Sequence, residues 1–547
     1  MLDETTILAI ETIELGKQAI IFAPSRASAE KTAEDIAKHT TLNNHDLEKS
    51  ILDVANQPTK QCRKLSHCLK KGIAFHHAGL LAGQRDIIET NFRSGNIKII
   101  CATPTLAAGL SMPAYRVIIK SLKRYSGSWG MDWIPVLEYM QMSGRAGRPE
   151  YEKTGQAITI AKDHKEKEEI FDRYICGIPE DIYSKLAVEP VLRTYLLALI
   201  SSGIIKDTIS MNQFFQKTFW AHQYQDLPKL QSILQKMINL LEEWGFIIVQ
   251  KSEQPDALFT PALKLHKEQQ PSSNTINLRT TLMGKRVSQL YLDPLTARHM
   301  LNCIAKYDPQ KSELKKNEQT TGEKTTDKQE TNKQPRTPFS LIQMICHTLE
   351  MRPLLTIKSK EHDFIQEELN KKCGELLECE PNRYDYEYTE FTSSIKTALF
   401  FEDWINEKDE EFLLEKFDIK PGEIYAKIET SKWLFSAAAE LASIEKRSTI
   451  ARELLRIKTR VEYGVKEELL ELLKLKGIGK VRARKLVNHH ITDLKTIKET
   501  PIENLTKILG DAIAYDIKVQ LGEKPTDKSA AKSKAAEPKK TETQQKL

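Results

Sequence analysis

Four short apolar runs, each closing on small or turn-forming residues, constrain the first 165 residues most strongly. They are QAIIFAPSR (18–26), IKIICATP (97–104), RVIIKSL (116–122) and QAITIAK (156–162), with helical segments such as AEKTAEDIAKH (29–39) between them. A strand wetted on one face alternates apolar and polar residues. Continuous runs of this length separated by helices instead predict a parallel sheet covered on both faces, an α/β domain. FHHAGL (75–80) closes a further predicted strand.

Beyond about Asp163 the strand pattern stops. Residues 165–285 read mainly as helices (EKEEIFDRYI, VLRTYLLALIS, LQSILQKMINLLEEW), with one short apolar segment, GFIIVQ, after Trp244. A few helices followed by a short hairpin is the pattern of a winged helix. Residues 309–338 contain almost no apolar side chains and cannot repay the entropy of ordering, so they read as a disordered insertion. Helical patterning resumes at Leu341 and runs to about 465, and 523–547 is a lysine-rich, low-complexity tail. The expected domains are therefore 1–168 (α/β), 169–285 (winged helix), 286–465 (helical, with the insertion), 466–522 (a hairpin of helices) and the tail.

The charged fraction of 29% and hydrophobic fraction of 40% fit a globular protein. A net charge of +6 over 547 residues is modest, so any nucleic-acid surface must be a local patch. No apolar run reaches the roughly 18–20 residues that span a bilayer, which excludes a membrane role through helices. The opening MLDETTILAI lacks a basic start and a long apolar stretch, so cytoplasmic, nucleoid-associated work is expected. Eight cysteines without a CxxC argue for reduced thiols. The C-x5-C pairs Cys62/Cys68 and Cys373/Cys379 and the adjacent His76 and His77 lack the spacing of zinc knuckles, so no metal site is assigned.

Two segments carry chemistry. ATPTLAAGLSMPA (102–114) puts hydroxyls and backbone N–H groups at the carboxyl edge of the predicted sheet, where ligands bind in such folds. QMSGRAGRP (141–149) presents Arg145 and Arg148 three residues apart on a glycine-rich backbone, a phosphate clamp in which guanidinium forks match phosphate oxygens. Further on, GEIYAKIETSKWLFSAAAELASI (422–444) places Ile424, Ile428, Phe435 and Ala442 on one helical face. Trp433 falls opposite them, among Ala426, Glu429, Ala437 and Glu440. LLKLKGIGKVRARKLV (472–487) sets Gly477 and Gly479 between amphipathic helices, a helix-hairpin-helix turn whose N–H groups approach a DNA phosphate, with Lys480, Arg482 and Arg484 adding charge.

FHHAGL, ATPTLAAGLSMPAYRVI and QMSGRAGRP, in this order and spacing, resemble the late motifs of superfamily 2 helicases. The run 72–160 is similar to the second RecA-like domain of the archaeal HelQ-type (helicase 308) fork helicases. The resemblance continues through SKLAVEPVLRTYLLALI, KTFWAHQ and MGKRVSQLYLDPLTA to the helix-hairpin-helix. It implies an ATP-dependent, 3′ to 5′ DNA helicase acting on single-stranded and forked DNA, with ATP and Mg²⁺ between two lobes. Gln141, Arg145 and Arg148 would face the triphosphate, Gly109 and Ser111 would lie toward the nucleotide, and Thr103 and Arg26 would contact the DNA backbone. SLKRYSGSWGMDWIP (121–135), which reads as a hairpin, would be the wedge, with Tyr125, Trp129 and Met131 at the last base pair. Residues 422–444 would form a ratchet helix, with Trp433 stacking on a base. Two positions depart from the family: Ser111 replaces an Asn or Asp, and Ala426 replaces an Arg.

A larger departure concerns the nucleotide. GK occurs as GKQ, GKR and GKV, never before Ser or Thr, and no DExH or DExD box is present. The P-loop lysine and the Mg²⁺ carboxylate are therefore expected on a separate polypeptide, leaving this chain inactive alone, with a truncated product as the alternative. An ATP-independent fork-recognition factor is the alternative from another class. Retained arginine fingers argue against it, since a pure binder needs none.

Overall fold

Five fully parallel strands form the sheet that the apolar runs predict. They are β1 (Ala19–Phe22), β2 (Ile73–His76), β3 (Ile99–Ala102), β4 (Arg116–Ile119) and β7 (Gln156–Thr159), in the order β2-β3-β1-β4-β7. The register aligns Ala19 with Ile99 and with Arg116. β1 to β4 are buried along their whole length, whereas edge strand β7 is exposed at Gln156 and Ala157. These coordinates are a computed structural model, which describes residues 2–54, 58–109, 112–125, 130–147, 154–186, 188–251, 276–307 and 337–523.

Helices α1 (Glu4–Glu14), α2 (Arg26–Ala37), α3 (His45–Asp53), α4 (Lys60–Lys70), α5 (Ala82–Arg93), α6 (Thr105–Gly109), α7 (Val136–Ser143) and α8 (His164–Ile170) belong with this sheet. Their starts follow from capping: Asp3, Ser25, Asn44, Thr59 and Asp163 each accept a backbone N–H of the first turn. Between β4 and α7 lies the expected hairpin, β5 (Lys123–Tyr125) antiparallel to β6 (Met131–Trp133).

The chain divides into two compact units. The first comprises 1–187 with 217–227 and 410–427, and the second holds 188–216, 228–409 and 428–547. Helices of the later chain are α9 (Glu189–Ser201), α10 (Thr208–Phe215), α11 (Phe219–Tyr224), α12 (Leu227–Glu243), α13 (Leu282–Gln289), α14 (Pro294–Lys306), α15 (Pro338–Cys346), α16 (His362–Lys372), α17 (Tyr386–Ile405), α18 (Glu410–Phe417), α19 (Pro421–Ile444) and α20 (Ser448–Tyr463). The last four are α21 (Lys480–Asn488), α22 (Leu494–Glu499), α23 (Ile502–Leu509) and α24 (Asp511–Gln520).

In the second unit β8 (Ile247–Lys251) runs antiparallel to β9 (Ile276–Thr280), and Leu278 N–H bonds the carbonyl of Lys206 before α10. The apolar GFIIVQ segment marks β8, but its partner, INLRT, is too polar to read as a strand. Gly284 of α13 lies against the backbone of Phe246, where a Cβ would meet the carbonyl oxygen at 1.9 Å. Arg193 of α9 binds Asp293, the cap of α14, through two bonds of 2.6 and 2.9 Å, with both side chains buried. This pair joins two segments on which the family resemblance rests, VLRTYLLALI and YLDPLTA.

The insertion expected at 309–338 lies outside the described residues up to 336; its last two positions, Thr337 and Pro338, are the cap and first residue of α15. The tail lies outside them from residue 524. Among the described residues, no helix is long and apolar enough to cross a membrane.

Candidate functional site

Arg145 follows α7 directly, and its backbone is pinned by pairing with the segment after α6. Ala114 N–H bonds the Arg145 carbonyl at 2.9 Å, and Gly147 N–H bonds the Ala114 carbonyl at 2.7 Å. Gly147 adopts a left-handed φ of 97° and packs backbone to backbone on Gly155, where a Cβ would sit 2.3 Å from the Gly147 nitrogen. The glycines thus serve close approach as well as turning. The Arg145 guanidinium reaches back to donate Nη2–H to the Ala107 carbonyl in α6, while its buried Nε–H has no partner among the described residues. QMSGRAGRP and ATPTLAAG are therefore linked by this side chain. Gln141 is exposed in the last turn of α7. Gly109 ends α6, whereas Ser111 and Arg148 lie outside the described residues.

The aim of α7 depends on a residue that local pattern does not reveal. Glu180 accepts the N–H groups of Val136 (2.7 Å) and Leu137 (3.1 Å), capping a helix that begins after Pro135 without a capping side chain of its own. Those backbone bonds hold the Glu180 carboxyl below its ordinary pKa.

The FHHAGL histidines are structural. Gly79 N–H donates to His77 Nδ1 (3.1 Å), so the ring proton sits on Nε2 and faces Glu30 Oε1 at 3.2 Å. Burial pushes the Glu30 carboxyl up, but bonds from His77 and Gln61 outweigh it and the net shift is downward. His76 bonds Glu89 instead (3.1 Å), and burial holds its pKa below the usual value against that carboxylate. The loop beyond is clasped by the start of α19: Gly422 N–H bonds the Gly79 carbonyl (2.9 Å), and a Cβ on Gly422 would meet the Ala78 and Leu80 oxygens at 2.5 Å.

Thr103 ends β3 with its N–H on the His76 carbonyl and its hydroxyl 2.8 Å from that of Thr105. Arg26 opens α2, and its guanidinium is already engaged by Glu423. A DNA phosphate would have to displace that carboxylate.

On the hairpin, Tyr125 and Met131 are 74% and 60% exposed. Trp129 lies outside the described residues, as does the rest of the tip, 126–129. The base is built firmly. Trp133 carries the Lys123 ammonium 4.0 Å over its ring and packs on Tyr174, whose hydroxyl donates to the buried Ile134 carbonyl at 2.6 Å. Tyr174 sits in a π-helical turn, Phe171–Ile175, that continues α8. Its part in anchoring the hairpin was not visible in the sequence.

In α19, Ile424, Ile428, Phe435 and Ala442 are buried as the phase predicts, and Trp433 is 36% exposed with its indole N–H on the Leu290 carbonyl. Ala437, expected beside Trp433 on the open side, is instead fully buried. From Leu434 to Ala442 the helix is buried or half-buried all round, so a single-stripe reading holds only for its first half. Ala426 and Glu429 are exposed, and Glu440 pairs with Arg286.

In the hairpin of helices, Gly477 takes a φ of 85° and Gly479 caps α21 with no side chain covering its first N–H groups. A Cβ on either glycine would meet nothing within 4 Å, so the turn is open. Arg482 donates to the Gly477 carbonyl, and the Lys480 ammonium stands 5.2 Å over Trp404. Arg484 turns inward, bound twice by Glu407 and once by Glu468.

Three family models match: the helicase conserved C-terminal domain over residues 4–150, archaeal helicase domain 4 over 339–464, and a SAM-like helix-hairpin-helix tandem over 469–523. Among curated proteins, the chain is 34% identical over 536 residues to the ATP-dependent DNA helicase Hel308 of Methanocella arvoryzae, covering 95% of this chain and 65% of that protein. It is 35% identical over 540 residues to the Hel308 of Methanococcus vannielii, covering 94% and 67%. For the Pyrococcus abyssi protein the identity is 32%, over 92% and 63%. The chain thus spans about two thirds of the length of these relatives.

Proposed function

This chain belongs to the Hel308 family of archaeal DNA helicases, and on that premise we propose that it carries the second motor lobe and the DNA-handling domains of an ATP-dependent helicase. It moves 3′ to 5′ along one strand and opens forked DNA during fork repair. The P-loop lysine and DExH carboxylate come from a lobe outside these 547 residues.

The observation that carries this reading is the placement of Arg145. A guanidinium hydrogen-bonded to α6, with a buried Nε–H that finds no acceptor among the described residues, fits a phosphate oxygen arriving from an opposing lobe. ATP with Mg²⁺ supplies, when bound, the phosphoryl transfer that drives movement. Arg145 and Arg148 place positive charge against the γ-phosphate, and exposed Gln141 faces the same side of α7. Gly109 and Ser111 line the loop toward the nucleotide. Thr103 and Arg26 hold the DNA backbone, Tyr125, Trp129 and Met131 abut the last base pair, and Trp433 stacks on a passing base. The open turn at Gly477 and Gly479, with Lys480, Arg482 and Arg484 nearby, binds a DNA phosphate.

The test is reconstitution. The purified chain alone should hydrolyse no ATP, and a P-loop lobe added to it should produce DNA-stimulated hydrolysis. Arg145→Ala should remove that gain by roughly 10³–10⁵ in rate and leave DNA binding intact. DNA-stimulated hydrolysis by these 547 residues alone overturns the placement of the P-loop outside them. An undiminished rate in Arg145→Ala overturns the finger.

A further inference from the structure

Three side chains of the second unit meet outside the motifs named so far. His299 lies in α14, His347 caps the end of α15, and Glu378 stands in the loop before α17. One ligand atom from each lies within 4.8 Å of the others. His347 Nδ1 is 2.8 Å from Glu378 Oε1, and His299 Nδ1 is 3.8 Å from Glu378 Oε2. We propose that His299, His347 and Glu378 form a binding site for a single divalent ion of the zinc type.

The argument begins with His299. Its Nε2 is 3.2 Å from the Met344 carbonyl, which can only accept, so the ring proton sits there and the Nδ1 lone pair faces the carboxylate. Two electron-rich atoms opposed at 3.8 Å across a mostly buried space repel unless a cation lies between them. Two donors held about 2.0–2.1 Å from a tetrahedral zinc ion lie about 3.3 Å apart, and the observed separations of 2.8 and 3.8 Å bracket that value.

The surrounding groups are those that orient metal ligands. A backbone carbonyl fixes the His299 tautomer, and the Gln343 amide donates to Glu378 Oε1 at 2.6 Å. The buried Cys303 thiol stands 4.0 Å from both His299 ring nitrogens. Two imidazoles, a carboxylate and a neighbouring thiol suit zinc better than magnesium or calcium, which prefer all-oxygen shells. The three ligands come from segments on either side of residues 308–336, so an ion here ties those segments together. Its role is structural.

The full chain, stripped with chelator, is titrated with Zn²⁺ against a chromophoric competitor, and separately with Co²⁺ while visible absorption is recorded. One equivalent of Zn²⁺ should bind, raise the Tm, and displace a tetrahedral Co²⁺ spectrum. Glu378→Gln and His299→Asn should each weaken binding at least tenfold. The proposal is overturned if the unaltered chain binds no stoichiometric Zn²⁺, or if both variants bind it undiminished. Should a variant fail to fold, the Co²⁺ spectrum of the unaltered chain decides, since the absence of tetrahedral bands that Zn²⁺ removes is equally fatal.

Discussion

Three arginines show how much a guanidinium's role depends on what it already touches. Arg193 is buried and saturated by Asp293, so its charge holds α9 to the start of α14. Truncating it strands the aspartate away from water. Arg193→Ala should cost about 3–5 kcal/mol, read as a lowered denaturant midpoint. Arg484 is bound by Glu407 and Glu468, so two carboxylates already compete for the charge that a phosphate would need. Arg145 has one carbonyl and an orphaned donor, which leaves it poised for an external acceptor. Arg145 and Arg484 stand out in the sequence by motif. Their different states do not, because each depends on groups brought from elsewhere in the chain.

At the scale of elements, the β5–β6 hairpin joins a rigid base to an exposed apolar edge. Tyr174 secures the base by one hydroxyl bond to Ile134 and by ring contacts with Trp133 and Tyr139. The edge carries Tyr125 and Met131 into solvent. If the edge separates strands, Tyr125→Ala with Met131→Ala should reduce unwinding at least tenfold in the reconstituted enzyme. DNA-stimulated hydrolysis should stay within about twofold, because both side chains lie on the hairpin edge and outside the motifs assigned to the nucleotide. Equal loss of both activities would assign the hairpin to the motor instead. The hairpin was legible because a Gly-Ser-Trp-Gly turn between apolar flanks has few alternatives. The β8–β9 pair was only half legible, since INLRT lacks the continuous apolar run that marks its partner.

At the scale of the whole molecule, several carboxylates are held ionised by partners distant in sequence. Burial pushes Glu30, Glu361 and Glu407 upward, but His77 and Gln61, Lys396, and Arg484 outweigh it in turn, and all three end below their ordinary values. A carboxylate with a depressed folded pKa contributes stability that is present above its unfolded value, about 4.3 for glutamate, and lost as pH falls through the folded value. Thermal unfolding should therefore show Tm falling steeply below about pH 4.5. Glu407→Gln should lessen the fall, as a scan of Tm against pH will show. The sequence by itself determined the parallel sheet, the order of the motifs and the open glycine turn, because apolar runs, glycines and capping residues act over a few neighbouring positions. Only the tertiary structure decided that Glu423, 397 residues away, occupies Arg26, that Glu180 caps α7, and that His299, His347 and Glu378 converge. Those outcomes depend on the path of the folded chain. Charge pairing and ligand geometry act through space, and no local periodicity encodes which distant residue arrives.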